Sequence, residues 1–301
     1  MGSALPAVSG MIGRVGSRNP VRRLDARARR QVAQGTAEIA PDPDRPDSFT
    51  LLVEGTAQSH VDLADPTRLD FEYMRWLGFL IDLVAEPGEA LNVLHLGGGA
   101  WTLPRYIAHT RPGSRQRVVE IDEPLIEFVR EHLPLPRNAN IRVRSGDARE
   151  VLTGLTADSV DLMIVDVFRG ARIPAHLTSA EFVAQAARVL RPGGIYAANL
   201  ADGPGLHFAR GQVATAQTVF PEIAIVAQPP VLRGRRFGNL VLVAGTGPLP
   251  LRGLARRTAS DVFAARVLAG SDLDHFVAGA QPVTDDFAQR SPEPPTSLFN
   301  G

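Results

Sequence analysis

The chain has 301 residues, 44% apolar and 21% charged, ordinary values for one large globular domain or one domain with a small accessory unit. Its 32 basic residues are all arginine and balance 32 acids to a net charge of zero, so Schiff-base and P-loop lysines are excluded. Cysteine is absent, which removes thiol nucleophiles, disulfides and thiolate metal sites; the seven histidines are scattered without ligand spacing, so no metal is expected.

Residues 1–34 hold seven arginines (Arg14, Arg18, Arg22, Arg23, Arg27, Arg29, Arg30) against one acid, and no apolar segment follows them as in a signal peptide. A disordered tail is expected there, with contact to nucleic acid or an acidic partner as the functional alternative. No run approaches eighteen apolar residues, since FLIDLV is broken by Asp82, so a cytoplasmic protein without a membrane partner is expected. GTAEIAPD and DSFTLLVEGTAQSHVDL read as extended segments around a Pro/Asp-rich turn at 41–47, giving a small β-hairpin lid over 35–64. Asp65-Pro66 then opens a long helical pattern, TRLDFEYMRWLGFLIDLVAE.

From residue 90 the period changes. Apolar strands are predicted at 91–96, 116–121, 140–144, 160–165, 194–199 and 239–244, with helices at 101–109, 123–132 and 178–190 between them. Alternating strand and helix implies right-handed crossovers, hence a Rossmann-like, doubly wound α/β sheet over 65–280. LRPGGIYAANL reads as a helix end, a glycine turn and a buried strand, and FGNLVLVAG as an antiparallel strand closing the sheet. Residues 250–280 read as helical and 281–301 as a Pro-rich tail.

In such a sheet ligands sit at the carboxyl ends of the strands, near the point where strand order reverses. Four successive strand ends carry a signal. The first runs into Gly97, Gly98 and Gly99, where a backbone without Cβ atoms admits close approach. The second ends in Glu120-Ile121-Asp122, a little over twenty residues later; an acid there accepts bonds from both hydroxyls of a ribose. The third ends in Gly146-Asp147-Ala148, where Asp147 also suits the N-cap of a helix at 148–153. The fourth, DLMIVD, ends in Asp166. Together they point to a nucleoside-bearing ligand.

VEGTAQ before the sheet, FEY on the next helix, the GGG turn, VEID, GDA, IVD, RPGG and FGNLVLV resemble the spermidine synthase (polyamine aminopropyltransferase) family, within the class I S-adenosylmethionine-dependent transferases. The resemblance spans roughly 35–245 and implies S-adenosylmethionine or its decarboxylated form as co-substrate. Glu120 would hold the ribose hydroxyls, Ile121 would cover the adenine, and Asp147, with Ala148 beside it, would bond the adenine amino group. Gly97, Gly98 and Gly99 would lie under the nucleoside, Gln58 and Tyr73 would close the pocket, and Asp166 would face the reacting amine. The family also implies a homodimer and a small-molecule amine acceptor; a nucleic-acid partner is not expected.

Two family acids are replaced. The acid after the glycines is Ala100, and the acid three residues past the fourth-strand Asp is Arg169. A guanidinium about 4 Å from an ammonium costs roughly 4 kcal/mol at an effective dielectric near 20. Arg169 pointing inward would therefore oppose a diamine, and would instead pair with a carboxylate. The reading is an aminopropyltransferase-like enzyme, with a methyltransferase of unknown acceptor or a non-catalytic cofactor-binding module as alternatives.

Overall fold

This computed structural model describes residues 27–295. Of the Arg-rich start, the part before residue 27 lies outside the described residues. Within 27–34 the expected tail is instead ordered: Ala28–Val32 forms strand β1, antiparallel to β2 (Gly35–Pro41). Its arginines are paired, Arg27 and Arg29 with Glu38 and Arg30 with Glu131, so charge complementarity fixes a segment that composition alone marks as loose. β3 (Ser48–Val53) and β4 (Thr56–Asp62) complete a four-stranded meander in the order β1-β2-β3-β4, larger than the expected hairpin.

Helix α1 (Glu72–Leu83) starts seven residues later than Asp65-Pro66 suggests. Asp65 accepts bonds from the backbone and hydroxyl of Thr67, closing a local turn, so its capping capacity is used before a helix begins. β5 (Asn92–Leu96), α2 (Thr102–Thr110), β6 (Arg115–Glu120), α3 (Glu123–His132), β7 (Ile141–Ser145), α4 (Ala148–Thr153) and β8 (Val160–Val165) follow as the periodicity predicts. α5 (Ala180–Val189) leads into β9 (Leu190–Asp202), α6 (His207–Gln217), β10 (Glu222–Ala227), α7 (Pro229–Leu232) and β11 (Gly238–Gly245). The RPGG turn lies inside β9, where Val160 pairs with Leu190 and Leu162 already pairs with Ile195. The glycines thus form an excursion in one strand rather than a boundary.

The chain closes with α8 (Leu251–Ala259), β12 (Arg266–Ala269) and α9 (Ser271–Val277). The helical reading of 250–280 is corrected here, because RVLA supplies the partner that the open edge of β10 requires.

The eight-stranded sheet runs β12-β10-β11-β9-β8-β5-β6-β7. β9-β8-β5-β6-β7 are parallel, while β11, β10 and β12 join antiparallel. This is the Rossmann-like class I methyltransferase arrangement with one added edge strand. FGNLVLVAG is antiparallel as expected, but sits inside the sheet between β9 and β10. One face packs on α4, α5 and α6 through Phe182, Val213 and Leu242. The other packs on α1 and α2 through Trp76, Leu80 and Ile107, and α3 buries Phe128 and Val129 against the four-stranded sheet. No helix of the described residues is long and apolar enough to cross a membrane.

Candidate active site

Strand order reverses between β5 and β8, and a cavity of about 940 Å³ opens there, between the carboxyl ends of β5 to β9 and the four-stranded sheet. Hydrogen bonds continue past the strands and knit their ends together. Gly97 N–H donates to Val119 O (2.9 Å), Asp166 N–H to Leu96 O (2.8 Å) and Gly146 N–H to Glu120 O (3.0 Å).

The glycine turn is constrained by the protein itself. At Gly97 (φ +93°) a Cβ would lie 2.0 Å from the Asp166 carbonyl oxygen, and at Gly99 (φ +49°) 2.3 Å from Ser59 Oγ. At Gly98 it would press on Glu120. The turn therefore joins β5 to three other elements of the site, besides leaving its surface open to a ligand. Glu120 is buried and accepts from Gly98 N–H (2.9 Å) on Oε2 and from Asp122 N–H (3.1 Å) on Oε1. A carboxylate has about four acceptor positions, so each oxygen keeps one for a diol. Ile121, beside it, is a large apolar side chain left 55% exposed where it borders the cavity. That is the surface a flat aromatic base would cover.

Asp147 caps α4 through Oδ1, which accepts from Arg149 N–H (2.8 Å) and Glu150 N–H (3.1 Å). Its Oδ2 lies 2.8 Å from His176 Nε2, from the 3-10 turn Ala175–Leu177. Burial works to raise its pKa, but the Glu150 amide, His176 and the Arg149 amide outweigh that and hold it below the ordinary value. Ala148 sits buried at the start of α4 on the cavity wall.

Asp166, half-buried after β8, accepts from the Tyr73 hydroxyl of α1 (3.1 Å) on Oδ2 and from Asn199 Nδ2 of β9 (2.9 Å) on Oδ1. Burial raises its pKa above the usual carboxylate value and the Glu120 charge adds to this, while Asn199 and Tyr73 oppose it. The Tyr73 hydroxyl is pushed well up, first by burial and then by Asp166. Asn199 Oδ1 is buried on the cavity wall with no partner among the described residues, an acceptor available to a donor from a ligand. Gln58 lines the cavity from β4. The β3–β4 register shifts at this point, pairing Leu51 with Ser59 and Leu52 with Ala57, so Gln58 is the bulged residue that the irregularity re-aims.

Arg169 stands at the cavity mouth. It is exposed, makes no ion pair among the described residues, and sits in a tight turn whose N–H donates to Arg172 O (2.9 Å). Ala100 is fully buried against Trp101, its N–H on Ser59 Oγ (3.2 Å). No group of three or more His, Asp or Glu side chains among the described residues is placed to hold a metal ion.

Residues 81–220 match the spermine/spermidine synthase domain model. A crystal structure described as a probable spermidine synthase from Corynebacterium glutamicum is 33% identical, with a TM-score of 0.80 over 85% of this chain and 95% of that one. The chain belongs to the spermine/spermidine synthase family. A polyamine aminopropyltransferase of Vibrio vulnificus is 29% identical over 208 residues, which are 67% of this chain and 66% of that protein. The chain spans just under two thirds of that curated relative, and 54% of one from Chromobacterium violaceum. Spermidine synthase from Thermotoga maritima shares the fold at 17% identity, with a TM-score of 0.57 over 91% of this chain.

Within this spermidine synthase-like frame, four site contacts have no counterpart in the sequence reading. Asn199 was detectable as a lone amide in the apolar strand segment YAANL. His176 on Asp147 and Ser59 under Gly99 carry no local signal, because loop packing alone brings them in. Gln34 bridges the two sheets' ends, its N–H on Asp122 (3.1 Å) and its Oε1 accepting from Gly170 N–H (2.9 Å).

Proposed function

We propose that the chain is an aminopropyltransferase-like enzyme. It takes decarboxylated S-adenosylmethionine over the glycine turn and passes the aminopropyl group to an amine held at Asp166. The observation that carries this reading is the Tyr73–Asp166–Asn199 cluster: one carboxylate with raised pKa, held by two donors, beside an unpaired buried amide oxygen. The fit of the nucleoside rests on Glu120 keeping free acceptor positions, on exposed Ile121, and on the surface left open by Gly98. Asp147 is half committed to His176, so an adenine amino group would share Oδ2 with the imidazole or displace it.

The donor substrate supplies a carbon activated by an adjacent sulfonium. For that carbon to be attacked, the acceptor must be a neutral amine. Asp166 takes the ammonium proton, a role favoured by its raised pKa. The amine lone pair forms the new C–N bond as the C–S bond breaks, its electrons staying on sulfur, and methylthioadenosine leaves. Tyr73 and Asn199 fix the carboxylate so that this geometry costs little reorganisation. With Arg169 exposed in solvent, its repulsion of an ammonium about 4 Å away falls towards about 1 kcal/mol, the value at bulk dielectric, so an amine acceptor survives the loss of the family acids.

A second reading is methyl transfer from intact S-adenosylmethionine, favoured by Arg169 itself, a guanidinium without an ion-pair partner at the mouth that suits the carboxylate lost on decarboxylation. The test is methylthioadenosine release from decarboxylated S-adenosylmethionine across a panel of amines, with Asp166→Asn alongside. Turnover with at least one amine, reduced by about 10²-fold or more in Asp166→Asn, is expected. S-adenosylhomocysteine release from the intact form would establish the second reading, and undiminished turnover in Asp166→Asn would remove Asp166 from its role.

A further inference from the structure

The edge formed by β6 and β7 carries four exposed arginines on one face, Arg115, Arg117, Arg142 and Arg144, the first three of them towards the amino-terminal ends of the strands and away from the cavity just described. Their common face follows from register. Met163, Leu94, Arg117 and Arg142 lie in one row across β8-β5-β6-β7, and Val165, Leu96, Val119 and Arg144 lie in the next. Leu94, Leu96, Met163, Val119 and Val165 belong to the core under α4 and α5. The rows therefore pass from buried apolar side chains to bare guanidinia within two strands. The helix nearest this edge, α4, is only six residues, about 9 Å, long.

Arg117 and Arg142 are direct neighbours on adjacent strands, about 4.8 Å apart along the hydrogen-bonding direction. Like charges so placed oppose each other and destabilise the pairing. None of the four arginines makes an ion pair among the described residues. The nearby carboxylate is already used: Asp161 accepts from Asn92 N–H (2.7 Å) and Nδ2 (3.2 Å) and from Arg191 Nη1 (2.8 Å). Protection of a sheet edge by charge accounts for Arg142 and Arg144 on edge strand β7. It does not account for Arg115 and Arg117, because β6 is paired on both sides.

Three of them, Arg115, Arg117 and Arg142, border a second cavity of about 520 Å³, whose rim also includes Arg191, Asn140 and Ser159. Its volume lies within the range of small-molecule sites. We propose that it binds a small polyphosphate anion, whose oxygens the guanidinium forks of Arg115, Arg117 and Arg142 would take in paired bonds. Among the described residues no aromatic side chain lines it, which favours a phosphate chain over stacked bases of nucleic acid. The proposal is independent of the transferase reading.

The test is calorimetric titration of the full chain with inorganic triphosphate at low salt, with ATP as a parallel arm. Saturable one-to-one binding is expected, weakened at least tenfold by Arg117→Gln with Arg142→Gln and unaffected by Arg169→Gln with Arg236→Gln, two arginines that line the other cavity. Because the paired arginines repel, the Gln double variant should melt no lower than the parent; if it does, Arg117→Lys with Arg142→Lys keeps charge but loses the forks and should still weaken binding. Equal affinity for ATP assigns a free polyphosphate, and tighter ATP binding assigns a nucleotide. Absence of saturable heat, undiminished binding in both double variants, or tighter binding of a single-stranded oligonucleotide would overturn the proposal.

Discussion

Two titratable groups connect the site to measurable stability. Asp166 has its folded pKa raised by burial, so its ionisation opposes folding: its contribution is favourable below the ordinary carboxylate pKa and is lost as pH rises through the folded value. The cost grows as pH rises above the ordinary carboxylate range. Asp166→Asn should therefore leave the melting temperature at pH 7 equal or higher, the difference shrinking towards pH 4; a clear drop in melting temperature at pH 7 would contradict this balance. His95 has the opposite sign. Buried under the glycine turn, it is lowered to about 4, chiefly by burial, against the bond to Gln116. Gln116 gives its own N–H to Pro104 O, which assigns the His95 proton to Nε2. Stability held by neutral His95 is complete above about pH 6.5 and is lost as pH falls towards about 4. A thermal series over that window should show a shallower acid loss for His95→Gln than for the parent, and parallel curves would remove His95 as its source.

Among the elements, the glycine turn and the C-terminal segment show what a sequence does and does not disclose. GGG after a strand is legible, but the reason each position excludes a side chain is not, since it lies in Asp166, Glu120 and Ser59 far along the chain. Gly97→Ala meets a backbone carbonyl and should cost on the order of 2–4 kcal/mol. Gly99→Ala meets a hydroxyl, and Ser59→Ala should restore part of its loss while doing nothing for Gly97→Ala; denaturant melts of this set decide it. The Pro-rich stretch 281–301 reads as a tail, and its last residues from 296 lie outside the described ones. The part before them is docked. Ser291 is fully buried, its Oγ accepting from Ile173 N–H (2.9 Å) and its carbonyl from Arg172 Nε (2.6 Å). These bonds pin the loop that carries Arg169 to the cavity rim. Ending the chain after residue 288 should weaken nucleoside binding about tenfold and open 169–174 to protease; unchanged affinity would make the segment a bystander.

Over the whole molecule, the parallel core was legible because its central strands β5 and β8 are largely apolar runs and the strand ends of β5, β6, β7 and β8 run into glycine or acidic markers. The C-terminal half was less so. EIAIVA and RVLA acquire their strand state from neighbours, β10 from β11 and β12 from β10, and periodicity cannot supply a partner. Of the site, the four strand-end signals converge on one cavity with Gln58 and Tyr73, whereas Asn199 and His176 depended on tertiary packing. Arg169 illustrates the limit most sharply: its identity is plain in the sequence, but the energetic weight of its charge follows from its exposure. The central claim is that this cavity binds a sulfonium nucleoside through Glu120. The most direct measurement is calorimetric titration with decarboxylated S-adenosylmethionine, S-adenosylmethionine and methylthioadenosine, on the parent, Glu120→Ala and Arg169→Ala. Saturable one-to-one binding, tightest for the decarboxylated form, insensitive to Arg169→Ala and weakened about 10- to 100-fold by Glu120→Ala, is the result predicted. No saturable binding of any of the three, or binding indifferent to Glu120→Ala, would contradict it.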